Sequence, residues 1–360
     1  MEKYIKAGDS TSKPIPEAFC IRILQEIDKT RPILYNEAMD FWNRKRVFIT
    51  GATGLLGSAV KRRLQDRGAF IVALMRDKVA YSALDYEGLT IVSGELLDPY
   101  LIERALNEYE IDTVFHLGAQ TIVGVANTSP ISTFESNIRG TWNLLEAVRG
   151  LSRIERIVVA SSDKAYGESK DLPYTETHPL RGLHPYDCSK SCVDLIAQTY
   201  IHTYNLPIGI TRCGNIYGGG DMNLNRLIPG TIVSLLVGER PIIRSDGCPK
   251  RDYICVEDAA DAVILLAENL NRPEIKGEAF NFSTETPLTV LEITQKILQI
   301  MKKEDLPPMI LAEARLEIED QYLSCQKARE RLSFKPKFSI DEGLERTVEW
   351  YKEHIDWFSR

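Results

Sequence analysis

A glycine-rich turn between a predicted strand and a predicted helix constrains the fold of this chain more than any other feature. Residues 46–50 predict a strand, and the turn Gly51-Ala52-Thr53-Gly54-Leu55-Leu56-Gly57 follows directly. Residues 58–67 predict a helix. Glycines at such a turn let the backbone approach a pyrophosphate, which the helix N-terminus attracts through free N–H groups and its dipole. The spacing is GxxGxxG rather than GxGxxG. The flanking strand and helix nevertheless indicate a dinucleotide-binding unit.

Short apolar runs alternate with helical patterns along most of the chain after this turn. Helices are predicted over 134–149 and 257–270. Further strands are predicted over 70–75, 89–92, 113–116, 157–160, 208–211 and 280–282, with one more near Ile310. Such alternation is typical of βαβ units. The expected fold class is therefore α/β with a parallel sheet.

The residues after the second predicted strand bear on the choice of dinucleotide. In folds that prefer NAD, an acidic residue about 20 positions after the glycines binds the ribose 2′-OH. Met75 takes that place here, followed by Arg76 and Asp77. Because an arginine suits a 2′-phosphate, NADP is favoured over NAD. The alternative is a solvent-facing Arg76 beside a displaced Asp77 that still binds NAD.

Composition and charge exclude several classes of protein. The 360 residues are 44% apolar and have a net charge of -7, so the chain can bury a full core and has no basic stripe for nucleic acid. Its seven cysteines include no CxxC pair, and its five histidines show no metal-ligand spacing. No apolar run approaches the about 20 residues of a membrane span, and the chain start lacks the apolar core of a signal peptide. We expect a cytoplasmic protein without a metal, a nucleic-acid partner or a membrane partner.

The stretch from Ile157 to Lys190 contains the candidate catalytic residues. Ser162 follows a predicted strand at the sheet edge where open α/β folds bind ligands. Tyr186 and Lys190 are four residues apart in a helical pattern, so they lie on one face. An ammonium about 4 Å from the phenol contributes about 4 kcal/mol, or about 3 pKa units. We therefore expect the pKa of Tyr186 to lie near 7, where a general base works best; a surface Tyr–Lys pair is the alternative.

Five motifs together resemble the extended short-chain dehydrogenase/reductase family of nucleotide-sugar enzymes. They are TGATGLLG (50–57), VASSDKAYG (159–167), HPYDCSK (184–190), RCGNIYGGGD (212–221) and RDYICVEDAA (251–260). The resemblance covers roughly residues 41–350. It implies a Rossmann doubly wound parallel sheet with a smaller C-terminal α/β nucleotide-sugar-binding domain. It also implies a tightly held NAD(P), a nucleotide-diphosphate sugar as substrate and a homodimer.

The same resemblance implies roles for individual residues. Ser162, Tyr186 and Lys190 match the family's catalytic triad, which Asn137 supports. The implied dinucleotide contacts are Gly51, Thr53, Gly54, Leu55, Leu56, Gly57, Arg76, Glu95, Leu96, Leu117, Ala119, Asn137, Tyr186 and Lys190. The implied substrate contacts are Gln120, Asn215, Arg226 and Arg251. Arg76 and Glu95 depart from the usual cofactor pattern.

Asp163 and Lys164 separate two activities within this family. An Asp followed by Lys resembles the CDP-glucose 4,6-dehydratase group, whereas 4-epimerases usually have small or neutral residues there. In a dehydratase, Asp163 would act as the acid, with a pKa raised by partial burial. Lys164 would act as the base, with a pKa lowered by Lys190 and the cationic cofactor. Both side chains can face the sugar if the strand has already broken into a turn.

The expected domains and functions follow from these motifs. We expect an N-terminal helical arm (1–41), a dinucleotide-binding domain (42–212 and about 251–285) and a substrate domain (213–250 and about 286–360). The predicted activity is that of a nucleotide-sugar 4,6-dehydratase. The alternatives are a 4-epimerase of the same fold and a non-catalytic dinucleotide-binding sensor.

Overall fold

The computed structural model describes residues 41–79, 81–313 and 318–358, and seven apolar segments of this part form one parallel sheet. They are β1 (Arg46–Thr50), β2 (Phe70–Met75), β3 (Leu89–Ser93), β4 (Thr113–His116), β5 (Arg156–Ala160), β6 (Ile208–Cys213) and the edge strand Ala279–Phe282. Their order is β3-β2-β1-β4-β5-β6, with the edge strand beside β6. The order reverses between β1 and β4, so a crevice opens where these strands end. The predicted α/β fold with a parallel sheet is confirmed.

Helices cover both faces of this sheet. In β1, Phe48 packs into the core of one face, whereas Val47 and Ile49 pack into the core of the other, because alternate residues of a strand point to opposite sides. The helices on the Val47 side are Leu55–Asp66 and Val256–Asn269. Those on the Phe48 side are Pro99–Glu108, Gly140–Arg149 and Pro185–Tyr204. None of the helices within the described ranges is both long and apolar enough to cross a membrane.

Two glycines set the turn between β1 and the first helix. Gly51 has a φ of +75°, and a Cβ there would lie 2.7 Å from the Cα of Gly118. A Cβ at Gly57 would lie 2.1 Å from the Gly51 carbonyl oxygen, so the helix packs directly on the turn. The helix begins at Leu55 rather than at the predicted Ser58, because the turn itself winds into it.

The segment predicted as one helix over 134–149 has three different backbone conformations. After the short helices Val123–Thr128 and Pro130–Phe134, a π-helical turn spans Glu135–Arg139, and a regular helix follows over Gly140–Arg149. Single π turns inside helices often occur at functional sites. This one contains Asn137.

Beyond β6, short strand pairs replace the long alternation. Asn215–Tyr217 pairs with Tyr253–Cys255, and Ile242–Ile243 pairs with Met309–Ile310, which confirms the strand predicted near Ile310. Lys250–Arg251 lies between Leu288–Thr289 and Asp320–Gln321. These pairs border the far side of the crevice and bring Arg251 next to Gln321.

Three helices enclose a separate core behind these pairs. They are Leu227–Leu236, Val290–Met301 and Ile340–Glu353, and they bury Ile232, Ile293 and Leu344. The last two begin with capping boxes at Thr289 and Ser339. A shorter helix, Gln326–Leu332, contributes Ala328 and Leu332 to the core on the Val47 side of the main sheet, and a 3-10 turn spans Ile355–Trp357.

Residues 41–360 form one compact unit. The division of this unit into a dinucleotide domain and a substrate domain therefore stays a prediction. Apart from Phe41, the predicted N-terminal arm lies outside the described residues.

Candidate active site

The chain breaks out of β5 so that three neighbouring side chains line one cleft. β5 ends at Ala160, and Ser162 caps a 3-10 turn, Asp163–Tyr166, by accepting a hydrogen bond from the Lys164 backbone N–H at 3.2 Å. Neighbouring side chains of a regular strand point to opposite faces. Because the strand has ended, Ser162, Asp163 and Lys164 all line the cleft.

The helix Pro185–Tyr204 brings the other two catalytic candidates to the same place. Its proline takes the first position, where a missing N–H is tolerated. Tyr186 lies in the first turn and Lys190 one turn later, and both line the cleft. The Nζ of Lys190 donates a hydrogen bond to the Ala160 carbonyl at 2.7 Å. This bond ties the helix to the end of β5.

The cleft is large enough for two ligands. Its volume is about 1430 Å³, compared with about 300–1,000 Å³ for a typical small-molecule pocket. One end is lined by the glycine turn together with Leu117 and Ala119. The other end is lined by the predicted substrate residues Asn215, Arg226 and Arg251.

The glycine-turn end fits a dinucleotide. Gly54 precedes the first helical residue, and that helix begins with Leu55, Leu56 and Gly57, so its first turn holds no acidic side chain. Its first N–H groups are therefore available to a phosphate. A Cβ at Gly54 would come within 3.3 Å of the Gly51 carbonyl oxygen, and glycine leaves this side of the cleft open.

Five other predicted site residues lie outside the lining of this cleft; they are Arg76, Glu95, Leu96, Gln120 and Asn137. Arg76 follows β2 and is 67% exposed, and its Nε donates to Asp77 at 2.6 Å. Glu95 follows the neighbouring β3, and its charge adds to the Asp77 hydrogen bond in raising the pKa of Arg76. The Leu96 carbonyl accepts a bond from Asn143 at 3.0 Å. Arg76, Glu95 and Leu96 thus lie just after the ends of β2 and β3.

Asn137 is a support behind the cleft. Its Nδ2 donates to the Gln120 carbonyl at 3.0 Å and to the Ser189 hydroxyl at 2.9 Å, and its Oδ1 accepts from the Gln120 N–H at 2.7 Å. Ser189 donates in turn to the Tyr186 carbonyl at 2.7 Å. The Gln120 side chain bonds to the Ile122 backbone and to the Thr133 hydroxyl. The π turn thus fixes the helix that contains Tyr186.

A buried histidine that sequence reasoning missed completes this support. The ring nitrogens of His116 lie 2.9 Å from the hydroxyls of Thr50 and Thr141. Thr141 donates to the Asn137 carbonyl at 2.6 Å, so it accepts from the histidine Nε2–H, and Nδ1 accepts from Thr50. Burial, aided by the Lys190 charge, lowers the pKa of His116 to about 3. The histidine is therefore neutral, and its one sequence signal was its place at the end of a buried strand.

The predicted pKa of Tyr186 near 7 is wrong for the protein alone, without the charge of a dinucleotide. Burial raises the pKa of Tyr186, and the charge of Asp163 raises it further, while Ser162 lowers it. The charged groups that act on Tyr186 are Asp163, Arg226 and Asp187, and Lys190 instead bonds to the Ala160 carbonyl. The loss of hydration on burial thus outweighs the pairing that the spacing suggested.

Asp163 and Lys164 are held side by side. Asp163 is 2% exposed, its Oδ1 accepts from Ser162 at 2.9 Å, and its Oδ2 has no hydrogen-bond partner within the described part of the chain. The Nζ of Lys164 lies 3.6 Å from that Oδ2. Burial lowers the pKa of Lys164, Asp163 opposes this effect, and Arg251 adds to it. The expected lowering is present, with burial rather than Lys190 as its main cause.

Two further buried residues at this pair were missed by the sequence reasoning. Asp187 lines the cleft, and burial raises the pKa of its carboxyl. Gln321 bonds to both Lys164 and Asp163 from a strand far along the chain. Asp187 could have been predicted as a site residue, because it follows Tyr186 directly in the sequence. Gln321 gave no local signal.

Positive groups gather at the far end of the cleft. Arg226 donates to the Asp221 carboxylate at 2.7 Å and to the Ile216 carbonyl at 2.8 Å. It immediately precedes the helix Leu227–Leu236, whose first turn holds no acidic residue. Arg244 and Arg251 line the same end. Guanidinium groups and a helix N-terminus suit a diphosphate.

Comparisons with known proteins match most of the chain. The model of the NAD dependent epimerase/dehydratase family matches residues 47–282. The CDP-glucose 4,6-dehydratase of Salmonella typhimurium is 30% identical over 337 residues, which cover 88% of this chain and 93% of that protein.

Solved structures of two activities resemble this one. A UDP-glucose 4-epimerase of Thermotoga maritima with UDP-glucose has a TM-score of 0.79 at 25% identity, covering 86% of this chain and 99% of that one. A dTDP-glucose 4,6-dehydratase of Streptomyces venezuelae with NAD has a TM-score of 0.78 at 28% identity, covering 87% and 98%. The two activities therefore share this fold over nearly its whole length.

Lys190→Met is expected to raise the free energy of unfolding at neutral pH. A folded pKa of about 8, below the usual 10.5, means that the charged lysine opposes folding below pH 8. Removal of the buried charge should stabilise the fold by at most about 3 kcal/mol. Loss of the hydrogen bond to Ala160 should destabilise it by about 1 kcal/mol. The gain should shrink as the pH rises from about 8 toward 10.5, because the folded and unfolded lysines then both become neutral.

Chemical denaturation at several pH values measures this effect. Lys170→Met, at an exposed loop residue, is the control. A Lys190→Met variant that is equally destabilised at all these pH values would contradict the assignment of a buried, costly charge.

Proposed function

This chain belongs to the NAD dependent epimerase/dehydratase family, as its motifs predicted, and we propose that it is a nucleotide-sugar 4,6-dehydratase. It would convert an NDP-hexose into the NDP-4-keto-6-deoxyhexose with loss of water. The observation that supports this choice is the turn after β5, which directs Asp163 and Lys164 into the same cleft as Ser162 and Tyr186.

The first proposed step is oxidation at C4. NAD or NADP, held at the glycine turn, would supply the hydride acceptor for C4 and the hydride donor for C6. Tyr186 accepts the proton of the C4 hydroxyl, and Ser162 holds that oxygen. Lys190, fixed on the Ala160 carbonyl, keeps the tyrosine helix in place. Since burial raises the pKa of Tyr186, the positive charge of the bound cofactor is needed to bring it into a useful range.

The second proposed step is elimination of water. A ketone at C4 acidifies the C5 proton, which Lys164 removes as a neutral amine. Asp163 gives a proton to the C6 hydroxyl, which leaves as water. When hydride returns to C6, the protonated Lys164 gives a proton back to C5. Two observations support these roles: the lowered pKa of Lys164, and the buried Oδ2 of Asp163, which accepts no hydrogen bond within the described ranges.

The proposed substrate is a nucleoside diphosphate hexose bound at the arginine-lined end of the cleft. Arg226, Arg244 and Arg251 provide charge for the diphosphate, with Asn215 beside them. CDP-glucose is the first candidate, because the Salmonella relative is a CDP-glucose 4,6-dehydratase. UDP- and dTDP-hexoses follow from the solved relatives.

Incubation of the purified protein with a panel of CDP-, UDP- and dTDP-hexoses tests the activity. A 4-keto-6-deoxy product supports the dehydratase. Simple inversion at C4 supports the second candidate, a 4-epimerase, which the likeness to the Thermotoga enzyme favours and in which Asp163 and Lys164 are spectators. Dinucleotide binding without turnover of any sugar would indicate a sensor.

We also propose a reducing compartment such as the cytoplasm. All six cysteines within the described ranges are free thiols, and none is joined in a disulfide there. Fractionation of the source cells with an antibody against the chain tests the location.

Asp163→Asn is expected to leave C4 oxidation largely intact and to slow dehydration about 10²- to 10⁴-fold, the usual effect of a lost general acid. The amide keeps the shape and the bond from Ser162 but has no proton of suitable acidity. Rapid mixing with substrate, followed by product analysis, separates the two steps. Asp246→Asn, at an exposed loop residue, is the control. Normal dehydration in Asp163→Asn would remove this residue from the mechanism.

Arg76→Ala tests the proposed preference of the chain for NADP over NAD. The exposed guanidinium bonds to Asp77, and a 2′-phosphate could replace that carboxylate. Loss of this charge-assisted bond should weaken NADP binding about tenfold or more and change NAD binding little. Titration calorimetry with both dinucleotides measures this, with Arg104→Ala as the surface control. Equal losses for NAD and NADP would overturn the preference.

Leu195→Glu tests the proposed homodimer. The adjoining helices Gly140–Arg149 and Pro185–Tyr204 expose Trp142 and Leu195 to 43% and 52%. Apolar side chains exposed together mark a candidate interface. A charge at Leu195 should shift the mass in light scattering from two chains toward one, while Leu183→Glu, at a residue outside both helices, should not. A single-chain mass for the unaltered protein would refute the dimer.

A further inference from the structure

Gln321 connects the candidate catalytic pair to the strand beside Arg251. It is fully buried and lies in the short strand Asp320–Gln321, paired in register with Arg251. A buried amide needs partners for both its oxygen and its nitrogen. The partners of Gln321 are the two residues proposed for the elimination.

Both ends of the amide are in use. Its Oε1 accepts a hydrogen bond from the Nζ of Lys164, and its Nε2 donates to the Asp163 carbonyl at 3.0 Å. The Asp163 carbonyl fixes this orientation, because a carbonyl oxygen only accepts and the amide nitrogen must therefore face it. The side chain thus holds the amine of Lys164 and the backbone of Asp163 together.

The backbone that precedes Gln321 is attached to Arg251. The guanidinium donates to the Ile318 carbonyl at 2.5 Å and to the Glu319 carbonyl at 2.8 Å. Arg251 itself lines the diphosphate end of the cleft. A short path therefore runs from the diphosphate end through residues 318–321 to Lys164.

We propose that Gln321 is a positioning residue that aims Lys164 at C5 of the hexose and links its position to the strand beside Arg251. This role rests on the proposed dehydratase function, in which Lys164 is the base. Gln321 touches neither the substrate nor the dinucleotide in this role. It acts through Lys164.

The neutrality of Gln321 is part of the argument. The charged groups that act on Lys164 are Asp163 and Asp187, which favour its protonated form, and Arg251, which disfavours it. An amide holds the amine of Lys164 without favouring either its protonated or its neutral form. A carboxylate in its place would favour the protonated lysine, which cannot act as a base.

Gln321→Glu is the sharpest test, because it keeps the shape and changes the charge. Elimination should be slower at neutral pH, and the acid limb of its pH profile should move up by about 1 to 3 pH units. Oxidation at C4 should keep its rate. Incorporation of solvent deuterium at C5 reports the action of the base, and absorbance of the reduced nicotinamide reports oxidation. Gln299→Glu, on an exposed helix face, is the matched control.

Gln321→Leu distinguishes positioning from a general structural role. We expect at least a tenfold loss in the rate of elimination without the upward shift of the pH profile. The KM for the NDP-hexose should stay unchanged, because the bonds of Arg251 go to backbone carbonyls that remain. A raised KM with an unchanged rate of C5 exchange would overturn the proposal.

The remaining outcomes separate this proposal from the function on which it rests. Loss of cooperative unfolding in both variants would overturn it, since Gln321 would then serve the fold. Unchanged exchange and pH profiles in both variants would refute the role of Gln321 alone. Absence of dehydration by the unaltered protein would refute the dehydratase and this role together.

Discussion

The hydrogen bond from Lys190 to the carbonyl of Ala160 is the contact on which the geometry of this site depends. It joins the helix that contains Tyr186 to the strand end from which Ser162 emerges. Behind it, Asn137 bonds to Ser189 of the same helix. His116 bonds to Thr50, whose hydroxyl accepts from the Gly118 N–H in the next turn. Lys190 is thus held by the backbone of another element, and Lys164 by the side chain of Gln321. This rigid support suits a reaction that needs atoms aligned within a fraction of an ångström.

Burial, rather than pairing of opposite charges, dominates the electrostatics of the cleft. Asp163, Asp187, Lys190 and Arg251 are each less than a tenth exposed, an unusual concentration of charge for a protein interior. Burial is the first cause of the altered pKa values of Lys164, Tyr186 and Lys190. The two large apolar cores on either side of the sheet can offset such a cost. Functional sites commonly sacrifice stability in this way.

The sequence predicted local features better than contacts between distant segments. The strands at 70–75 and 113–116 were predicted to the residue; the first is a continuous apolar run, and the second has Val114 and Phe115 at its centre. The π turn at Asn137 was missed, since helical periodicity does not reveal one extra residue per turn. Gln321 lies 157 positions from Lys164, so no local pattern could join them. The expected pKa of Tyr186 was wrong because spacing reveals a neighbour but not the degree of burial.

The separation of 3.6 Å between Lys164 and Asp163 has a consequence for the proposed turnover. The proposed elimination starts from a neutral amine on Lys164 and needs a proton on Asp163 to give to the leaving hydroxyl. Removing the C5 proton and releasing water leaves a protonated lysine beside a carboxylate. Return of that proton to C5, as hydride reaches C6, makes the lysine neutral again, and Asp163 regains a proton from solvent. A proton on Asp163 removes the negative charge that most favours a protonated Lys164. It therefore also favours the neutral amine that the proposed step needs.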